Sequence, residues 1–423
     1  MPGHKGVSFL GFENLDITEI SGADSLYEAS GIIAESEKNA SSLFGCDTYY
    51  STEGSSHCIR VMLYLAMLYA KSKGKRACVA SPRNAHKAFL SAAAMLDFDI
   101  TWLSSDKSTS YLSCSVSPSE VEALLSRSDE ITAIYLTTPD YLGSIIKLKS
   151  IAEICHKYGV LLIVDNAHGA YLKFLLPSLH PMDLGADICC DSAHKTLPVL
   201  TGGAYLHLSE RMSKAFGDNV KNAFAAFGSS SPSYLILQSL DYANKYIADG
   251  YAEKLASFCR LLEEKKRLLE ENDYVFFGDE PLKMTFCAKE YGYLGTELGE
   301  KLQEKGIFCE FSDPDYLVLM LTPENTKSEL DKMTEALLSI PQKAPIESRP
   351  PLFFLPKKAL SVREAYFSPS VTVPTSESIG KILASPSVGC PPAVPIIMCG
   401  EVIDENALKC FEYYGIKNVT VIK

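Results

Sequence analysis

The sequence predicts an α/β protein, with a mostly parallel sheet followed by a smaller α+β domain. Between about residues 48 and 208, apolar segments with strand character alternate with amphipathic helical segments such as 118–125 and 147–158. The predicted strands are 76–80, 99–103, 131–136, 160–165, 187–190 and 203–207. Because these strands are rich in Val, Ile and Leu on both faces, they indicate a parallel sheet that helices cover on both sides.

A helical segment over residues 233–271 is expected to lead out of this sheet domain. Beyond it, strands at 274–277, 283–287, 307–311 and 316–321 and helices at 295–305 and 326–339 indicate the α+β domain. Residues 341–356 are proline-rich and are expected to be extended, and Pro391, Pro392 and Pro395 precede a predicted short apolar strand. The predicted units are an N-terminal arm with dimer contacts (1–47), a major domain (48–265) and a C-terminal α+β domain (266–423).

Length and composition predict a two-domain globular protein, since 423 residues exceed the usual size of one hydrophobic core. The 13 cysteines form no CxxC pair, so reduced thiols are a better interpretation than a disulfide framework or a zinc site. The formal net charge of −12 argues against a nucleic-acid partner. Neither a membrane-spanning run of about 18 apolar residues nor an apolar leader segment is found, which predicts a cytoplasmic protein without a membrane partner.

The most informative motif is Ser192-Ala193-His194-Lys195, which follows the predicted strand 187–190. The predicted strand 160–165 ends in Asp165. A lysine beyond one strand and an acid at the end of another are typical of a pyridoxal phosphate site, where the lysine holds the cofactor as a Schiff base and the acid keeps the pyridine nitrogen protonated. A lone lysine is more often a surface residue, but Ser192 and His194 flank Lys195 with donors suited to a phosphate group.

Two further histidines fit the same interpretation. His168 lies three residues after Asp165 and could hydrogen-bond the phenolic oxygen of the cofactor, while Gly169 would allow close approach of the backbone. His86 lies in the loop after the predicted strand 76–80, where its ring could stack on the pyridine. Taken alone, His86 could equally be a solvent-facing loop histidine, and Asp165 could be an exposed acid at a strand end.

Two hydroxyl-rich segments precede predicted helices. Gly54-Ser55-Ser56 offers hydroxyls, backbone N–H groups and the helix dipole to an anion. A plain serine N-cap is the alternative, and would be favoured if this segment stood alone. The second segment contains Ser229 and Ser230, for which helix capping is compatible with a phosphate contact. Together with Lys195 and Asp165, the first segment favours phosphate binding.

In their order along the chain, these motifs resemble those of the bacterial ornithine/lysine/arginine decarboxylases, which are pyridoxal-phosphate-dependent enzymes of the aspartate-aminotransferase fold (fold type I). The resemblance covers nearly the whole chain and is closest to the short biosynthetic type, because a receiver-like N-terminal wing is absent. The motifs are Pro2-Gly3-His4-Lys5-Gly6, Asp16-Ile17-Thr18-Glu19-Ile20, Gly22-Ala23-Asp24-Ser25-Leu26, Gly54-Ser55-Ser56, Arg83-Asn84-Ala85-His86-Lys87, Asp165-Asn166-Ala167-His168-Gly169, Ser192-Ala193-His194-Lys195, Ser231-Pro232-Ser233-Tyr234, Arg363-Glu364-Ala365 and Pro391-Pro392.

The resemblance implies that the major domain binds pyridoxal phosphate. Lys195 would carry the cofactor, Asp165 would pair with the pyridinium and His86 would stack on the ring. The implied phosphate-binding residues are Ser55, Ser56, Ser192 and His194.

The resemblance also implies contacts with a second subunit and with the substrate. The loop containing Ser229 and Ser230 would reach the phosphate of the neighbouring subunit, which implies a homodimer or a higher assembly of dimers. Glu310, after Gly306-Ile307, would contact the distal cation of the substrate. A strand-edge acid is an equally good interpretation of Glu310 from sequence alone.

Several features depart from the family pattern. The chain begins inside the Pro-Gly-His-Lys motif, where either a misassigned start or a true truncation is expected. Asp140 stands where the family usually has threonine, Asn166 replaces a common glutamate and Ala393 replaces a glycine. Because the phosphate and lysine motifs are intact, we interpret the chain as a divergent subfamily.

The predicted activity is decarboxylation of a basic L-amino acid to its amine, with arginine favoured over lysine and ornithine. Lys195, His194 or a water would return the proton to Cα. Transamination or aldol-type cleavage is the second hypothesis, although an aminotransferase needs an arginine for the substrate carboxylate, and Arg349 and Arg363 are the only late arginines. A non-catalytic paralogue is the third hypothesis, which the retained pair of Lys195 and Asp165 disfavours.

Overall fold

A seven-stranded sheet lies at the centre of the computed structural model, which describes residues 1–103, 110–113, 115–352, 355–386 and 392–423. Its strands follow the order β1-β7-β6-β5-β4-β2-β3. They are β1 (Asp47–Ser51), β2 (Cys78–Pro82), β3 (Asp99–Leu103), β4 (Ala133–Thr137), β5 (Leu161–Asp165), β6 (Ile188–Asp191) and β7 (Ala204–Leu208). Strands β2 to β6 run parallel, whereas β7 is antiparallel to β6 and β1. The predicted parallel sheet is confirmed, and each of its six predicted strands is found within two residues of its expected position.

Helices cover both faces of this sheet, as the apolar strands predict. The helices of this half are α1 (Ile32–Phe44), α2 (Ser55–Ser72), α3 (Lys87–Leu96), α4 (Pro118–Arg127), α5 (Leu148–Lys157), α6 (Ala193–Thr196) and α7 (Glu210–Phe227). Along β5, Leu161 and Ile163 pack in the core that contains α2 and α3. The alternate residues Leu162 and Val164 pack in the core that contains α4 and α5. The strand therefore contributes to two cores and carries its functional acid at its end.

The helical segment predicted over 233–271 is two helices, α8 (Tyr234–Ala248) and α9 (Tyr251–Glu270). The break lies at Gly250, which has a φ of +77°. Residues with a side chain rarely adopt this left-handed conformation, so the glycine marks the corner between the helices. The prediction of one continuous helix was wrong because it gave too little weight to this residue.

A four-stranded antiparallel sheet follows, in the order β10-β11-β9-β8. Its strands are β8 (Phe276–Phe277), β9 (Lys283–Cys287), β10 (Phe311–Ser312) and β11 (Tyr316–Met320). The helices of this region are α10 (Gly295–Gln303) and α11 (Lys327–Leu338). The strand predicted at 307–311 is wrong except for Phe311. Gly306 has a φ of +73°, and the Ile307 N–H donates to the Leu302 carbonyl, so these residues form the C-terminal cap of α10.

A third sheet near the C-terminus was not predicted. Its strands, in the order β12-β14-β13, are β12 (Ser370–Pro374), β13 (Leu383–Ser385) and β14 (Asn418–Ile422). The helices of this region are α12 (Val362–Tyr366) and α13 (Glu405–Tyr413). The short apolar strand predicted after Pro395 is wrong, because the Glu401 carboxylate accepts the Met398 N–H and Gly400 turns the chain with a φ of +86°. Pro391 lies outside the described residues.

Residues 341–352, 355 and 356 contain neither helix nor strand, as expected of a proline-rich segment. No helix in the described part of the chain is long and apolar enough to cross a membrane. The domain limits at residues 47 and 265 stay predictions.

Candidate functional site

The carboxyl ends of β5 and β6 bring the two central site residues into one region. Asp165 is the last residue of β5, and Lys195 lies on the short helix α6 that begins two residues after β6. Because β5 and β6 are neighbouring parallel strands, their ends open at the same edge of the sheet. Lys195 Nζ lies 2.9 Å from His168 Nε2, and His168 follows Asp165 in the loop after β5.

Asp165 is almost completely buried. Its Oδ2 accepts a hydrogen bond from the Tyr135 hydroxyl at 3.1 Å, and its Oδ1 accepts one from the Ala167 N–H at 3.2 Å. Burial raises the pKa of the Asp165 carboxyl, while a positive charge on Lys195 acts in the opposite direction. A cationic group beside this carboxylate would therefore offset the cost of burying it.

His168 lies between two lysines. Its Nε2 faces Lys195 and its Nδ1 lies 3.4 Å from Nζ of Lys283, the first residue of β9. Burial holds the pKa of His168 well below its usual value, and the Lys283 charge acts in the same direction, so the ring is neutral at physiological pH. The edge of the Tyr141 ring completes the contact, with centroids 5.2 Å apart.

His86 also lies near Lys195. It is the N-cap of α3, and its Nδ1 accepts a hydrogen bond from the Ala88 N–H at 3.1 Å. Burial and then the charge of Lys195 lower the pKa of His86 to about 4. A neutral ring near the amine is compatible with the predicted stacking role, which stays a prediction.

The start of α2 carries the residues of the predicted anion site, which stays a prediction. The Ser192 hydroxyl donates to Ser55 Oγ at 2.8 Å, which joins the Ser-Ala-His-Lys motif to the Gly-Ser-Ser motif. Gly54, with a φ of +73°, donates its N–H to the Gly202 carbonyl at 2.7 Å and so fixes the turn into the helix. The N–H groups of Ser55 and Ser56 open the first turn of this 18-residue helix, where the helix dipole favours an anion.

His194 is held by the glycine pair that follows α6. Its Nδ1 lies 3.0 Å from the Gly203 carbonyl oxygen, which can only accept, so Nδ1 carries the hydrogen and Nε2 does not. Burial lowers the pKa of His194. The ring is tied to the glycine pair after α6, and its contact with a phosphate stays a prediction.

The second hydroxyl-rich segment lies beside the first. Ser229 and Ser230 are exposed, and the Ser229 N–H donates to Glu53 Oε1 at 2.5 Å, directly before Gly54. The loop is therefore adjacent to the glycine turn of its own chain. Its predicted contact with a partner subunit stays a prediction.

Glu310 is connected to the site through one side chain. The Tyr141 hydroxyl donates to Glu310 Oε1 at 3.0 Å, and the same Tyr141 ring packs on His168. Glu310 is itself exposed, so its carboxylate is accessible to a ligand cation. The expected substrate acid thus lies within reach of the predicted cofactor site.

The departures from the family pattern have structural roles. Asp140 is buried and accepts the Ser113 hydroxyl at 2.5 Å and the N–H groups of Leu142 and Ser144, so it holds a turn. Asn166 Nδ2 donates to Asp191 Oδ1 at 2.7 Å. Ala393 has a φ of +58°, which explains why a glycine suits this position in the family.

Sequence reasoning missed Lys283, Glu280, Tyr141 and Tyr135. For Lys283 a signal was available, because a lysine opens the apolar strand Lys283–Cys287 and is buried there. A buried lysine needs a partner or a function.

Comparison with known proteins decides the family. Residues 7–277 match the profile described as Orn/Lys/Arg decarboxylase, major domain. The chain belongs to this family. It is therefore a decarboxylase, as the sequence motifs predicted, and the family implies pyridoxal phosphate as the cofactor.

Individual relatives agree with this assignment. The arginine decarboxylase of Halalkalibacterium halodurans is 28% identical, over 96% of this chain and 88% of that protein. The uncharacterized protein YaaO of Bacillus subtilis is 30% identical, over 93% of this chain and 84% of that protein. The solved lysine decarboxylase of Francisella novicida superposes with a TM-score of 0.80 at 17% identity, covering 100% of this chain and 78% of that one. The fold is that of the fold type I enzymes.

Proposed function

We propose that this decarboxylase removes CO2 from a basic L-amino acid, arginine by preference, with pyridoxal phosphate bound at Lys195. The observation that carries the proposal is the position of the Lys195 amine, 2.9 Å from His168 and at the same sheet edge as the buried Asp165. Arginine is favoured because full-length relatives are named arginine decarboxylases.

The groups at the site fit this cofactor. Lys195 supplies a primary amine for its aldehyde, and Asp165 supplies a buried carboxylate for its ring nitrogen. Ser55, Ser56 and Ser192 supply hydroxyls and N–H groups for its phosphate at the start of α2. The amine, the carboxylate and the phosphate-binding groups lie at or after the ends of β6, β5 and β1, so one ligand would contact all of them.

The bound cofactor supplies an electron sink for the electron pair of the bond that breaks at Cα. Asp165 would keep the ring nitrogen protonated, because a cationic neighbour offsets the cost of burying its carboxylate. His86 and His168 are neutral, so neither opposes that cation. Lys195 would be available to return a proton to Cα.

The surroundings favour decarboxylation over transamination. Arg363 donates to the carbonyl oxygens of Ala94 and Met95 at 2.8 and 3.2 Å, away from Lys195, and Arg349 is exposed. Neither late arginine therefore lies where it would hold the substrate carboxylate. An unclamped, desolvated carboxylate is the group that leaves as CO2.

Glu310 is proposed to bind the distal cation of the substrate. A carboxylate that meets a guanidinium or ammonium group forms a charge-assisted hydrogen bond. Its position beside Tyr141 keeps it close to His168 without occupying the cofactor site.

The enzyme is further proposed to act in the cytoplasm as a homodimer or an assembly of dimers, in which the Ser229–Ser230 loop reaches the partner's phosphate site. In that setting its amine product would enter polyamine synthesis. The exposure of this loop supports the proposal.

A substrate panel tests the proposed reaction. The purified protein, loaded with pyridoxal phosphate, is given L-arginine, L-lysine and L-ornithine, and both CO2 and the amine product are measured. We expect stoichiometric CO2 and amine from one substrate, no 2-oxo acid, and loss of activity by at least about 1000-fold in Lys195→Ala. Lys157→Ala, at an exposed surface lysine, is the matched control.

Silence on all three substrates with the cofactor bound would rule out the proposed reaction. Pyridoxamine phosphate and a 2-oxo acid after one turnover would assign transamination in its place.

A further inference from the structure

A second lysine, Lys283, is buried beside the site. Its Nζ lies 2.8 Å from Oε2 of Glu280, and both side chains are about 1% exposed. It also donates to the carbonyl oxygens of Asp140 and Tyr141, each at 3.3 Å. A carboxylate and two carbonyls around one amine stabilise the charged form, so Lys283 is an ammonium group.

An ammonium group has three hydrogens and no lone pair. The Glu280 contact is an ion pair without a hydrogen bond, since Oε2 of Glu280 has no hydrogen-bond partner among the described residues. Two hydrogens of Lys283 point to the two carbonyl oxygens, and the third faces His168 Nδ1 at 3.4 Å. Nδ1 must therefore be the bare nitrogen of a neutral ring, which leaves the ring hydrogen on Nε2.

The hydrogen on Nε2 points at Lys195. Nζ of Lys195 lies 2.9 Å away, so the bond between them requires a lone pair on the lysine. The opposite arrangement would have Lys195 as an ammonium donor and the ring hydrogen on Nδ1. That hydrogen would then face the Lys283 ammonium, donor against donor.

We propose that Lys283, held by Glu280, is a positioning residue that fixes the Nε2–H form of His168 and thereby keeps the Lys195 amine unprotonated. A neutral amine is the form that attacks an aldehyde. The use of that amine rests on the proposed function, whereas the form of His168 does not.

Other titratable groups face this pair. Asp165 lies at the end of β5, His86 caps α3, and His194 lies beside Lys195 on α6. Asp140 and Tyr141 supply the carbonyls that hold Lys283. Each of these is present in all variants below, so differences between variants report on Lys283 and Glu280.

The first experiment detects the ring hydrogen of His168 in the full chain without cofactor. Two-bond 1H–15N correlation spectra of 15N-histidine-labelled protein distinguish the two neutral forms, and His168→Gln assigns the signal. We expect the Nε2–H form in the wild type and in Lys283→Arg, which keeps a cationic donor. The double variant Lys283→Met/Glu280→Gln removes both charges together, so that no unpaired charge stays buried. In this variant we expect a mixture of the two neutral forms of His168.

The second experiment measures how fast pyridoxal phosphate forms its imine absorbance at neutral and at alkaline pH. The wild type and Lys283→Arg should react at similar rates at both pH values. The double variant should be slower by at least about tenfold at neutral pH and recover at alkaline pH, since each pH unit changes the neutral fraction about tenfold.

The control is Lys289→Met/Asp315→Asn, a second buried lysine–acid pair at 2.8 Å after the same strand. It should change neither the spectrum nor the rate. An Nδ1–H signal in the wild type, or an equal loss of rate in the control, would overturn the proposal. A protein with the Nε2–H form that binds no pyridoxal phosphate would instead contradict the proposed function alone.

Discussion

Two buried histidine clusters lie at the ends of neighbouring strands, and they are built with opposite charges. The lysine–histidine cluster comprises Lys195, His168, Lys283 and Glu280, with His168 between two lysines. The aspartate–histidine cluster comprises Asp191, His180 and His207, with Asp191 between two histidines. All members of the two clusters except Lys195 are buried, so charge and hydrogen bonding from the protein decide where their protons lie.

The aspartate–histidine cluster is closed and fully satisfied. Asp191 Oδ2 lies 3.1 Å from His180 Nε2 and 3.0 Å from His207 Nε2, and the three side chains have no exposed surface. The other ring nitrogen of His207 lies 2.9 Å from Thr48 Oγ1, which joins β6, β7 and β1. Each ring nitrogen and each carboxylate oxygen of this cluster has a protein partner.

The pKa of histidine is therefore shifted in opposite directions in the two clusters. Burial alone would lower the pKa of His207, but the Asp191 carboxylate outweighs it and the pKa is raised. Burial lowers the pKa of His168, and the Lys283 charge acts in the same direction. The Asp191 carboxylate therefore reverses the effect of burial on His207, whereas the charge beside His168 adds to it.

The largest expected effect comes from removing the centre of the closed cluster. Asp191→Ala leaves two buried histidines without their counter-charge, so we expect the free energy of unfolding to fall by about 3–5 kcal/mol. Urea unfolding of the cofactor-free protein measures the change. The control Glu122→Ala breaks an exposed pair with Lys157 and should cost less than about 1 kcal/mol. A loss in Asp191→Ala no larger than in the control would mean that this cluster does not hold the strands together.

A smaller effect is expected in the pH dependence of stability, at His86 near Lys195 and at His207 in the aspartate–histidine cluster. Unfolded histidine takes up a proton below about pH 6.5, whereas folded His86 stays neutral down to about pH 4. The unfolded state therefore binds protons first, and the free energy of unfolding falls with pH across this window by up to about 1.4 kcal/mol per pH unit. His86→Gln should flatten the curve below pH 6.5.

His207 should act in the opposite direction. Its folded pKa is raised, so its stabilisation is present below about pH 6.5 and is lost as the pH rises through the folded value. His207→Gln should therefore flatten the stability curve above pH 6.5. Urea unfolding across the pH range measures both variants, and a change in the same window for both would remove the distinction between the clusters.

The sequence was sufficient for the parts of the site that lie in local motifs. Lys195, Asp165 and His168 stand at strand ends, and the strands were recognisable because their residues are apolar on both faces. The Gly-Ser-Ser turn was likewise visible as a helix start.

The rest depends on contacts between distant segments. Lys283 lies on β9 of the four-stranded sheet, whereas Lys195 lies on α6 after a strand of the seven-stranded sheet. The packing of β9 against the Tyr141 turn brings Lys283 to His168. Asp191 adjoins the Ser-Ala-His-Lys motif, yet its partners His180 and His207 come from a loop and from an antiparallel strand. No local sequence pattern predicts these contacts, because each residue alone is typical of an ordinary buried or surface position.

The central claim is that Lys195, and not the neighbouring Lys283, holds the cofactor. Reduction of the pyridoxal-phosphate-loaded wild type with borohydride fixes the cofactor to its lysine, and peptide mass spectrometry then locates the adduct. We predict one adduct per chain, on Lys195. An adduct on Lys283, or a loaded protein with none on Lys195, would contradict the account.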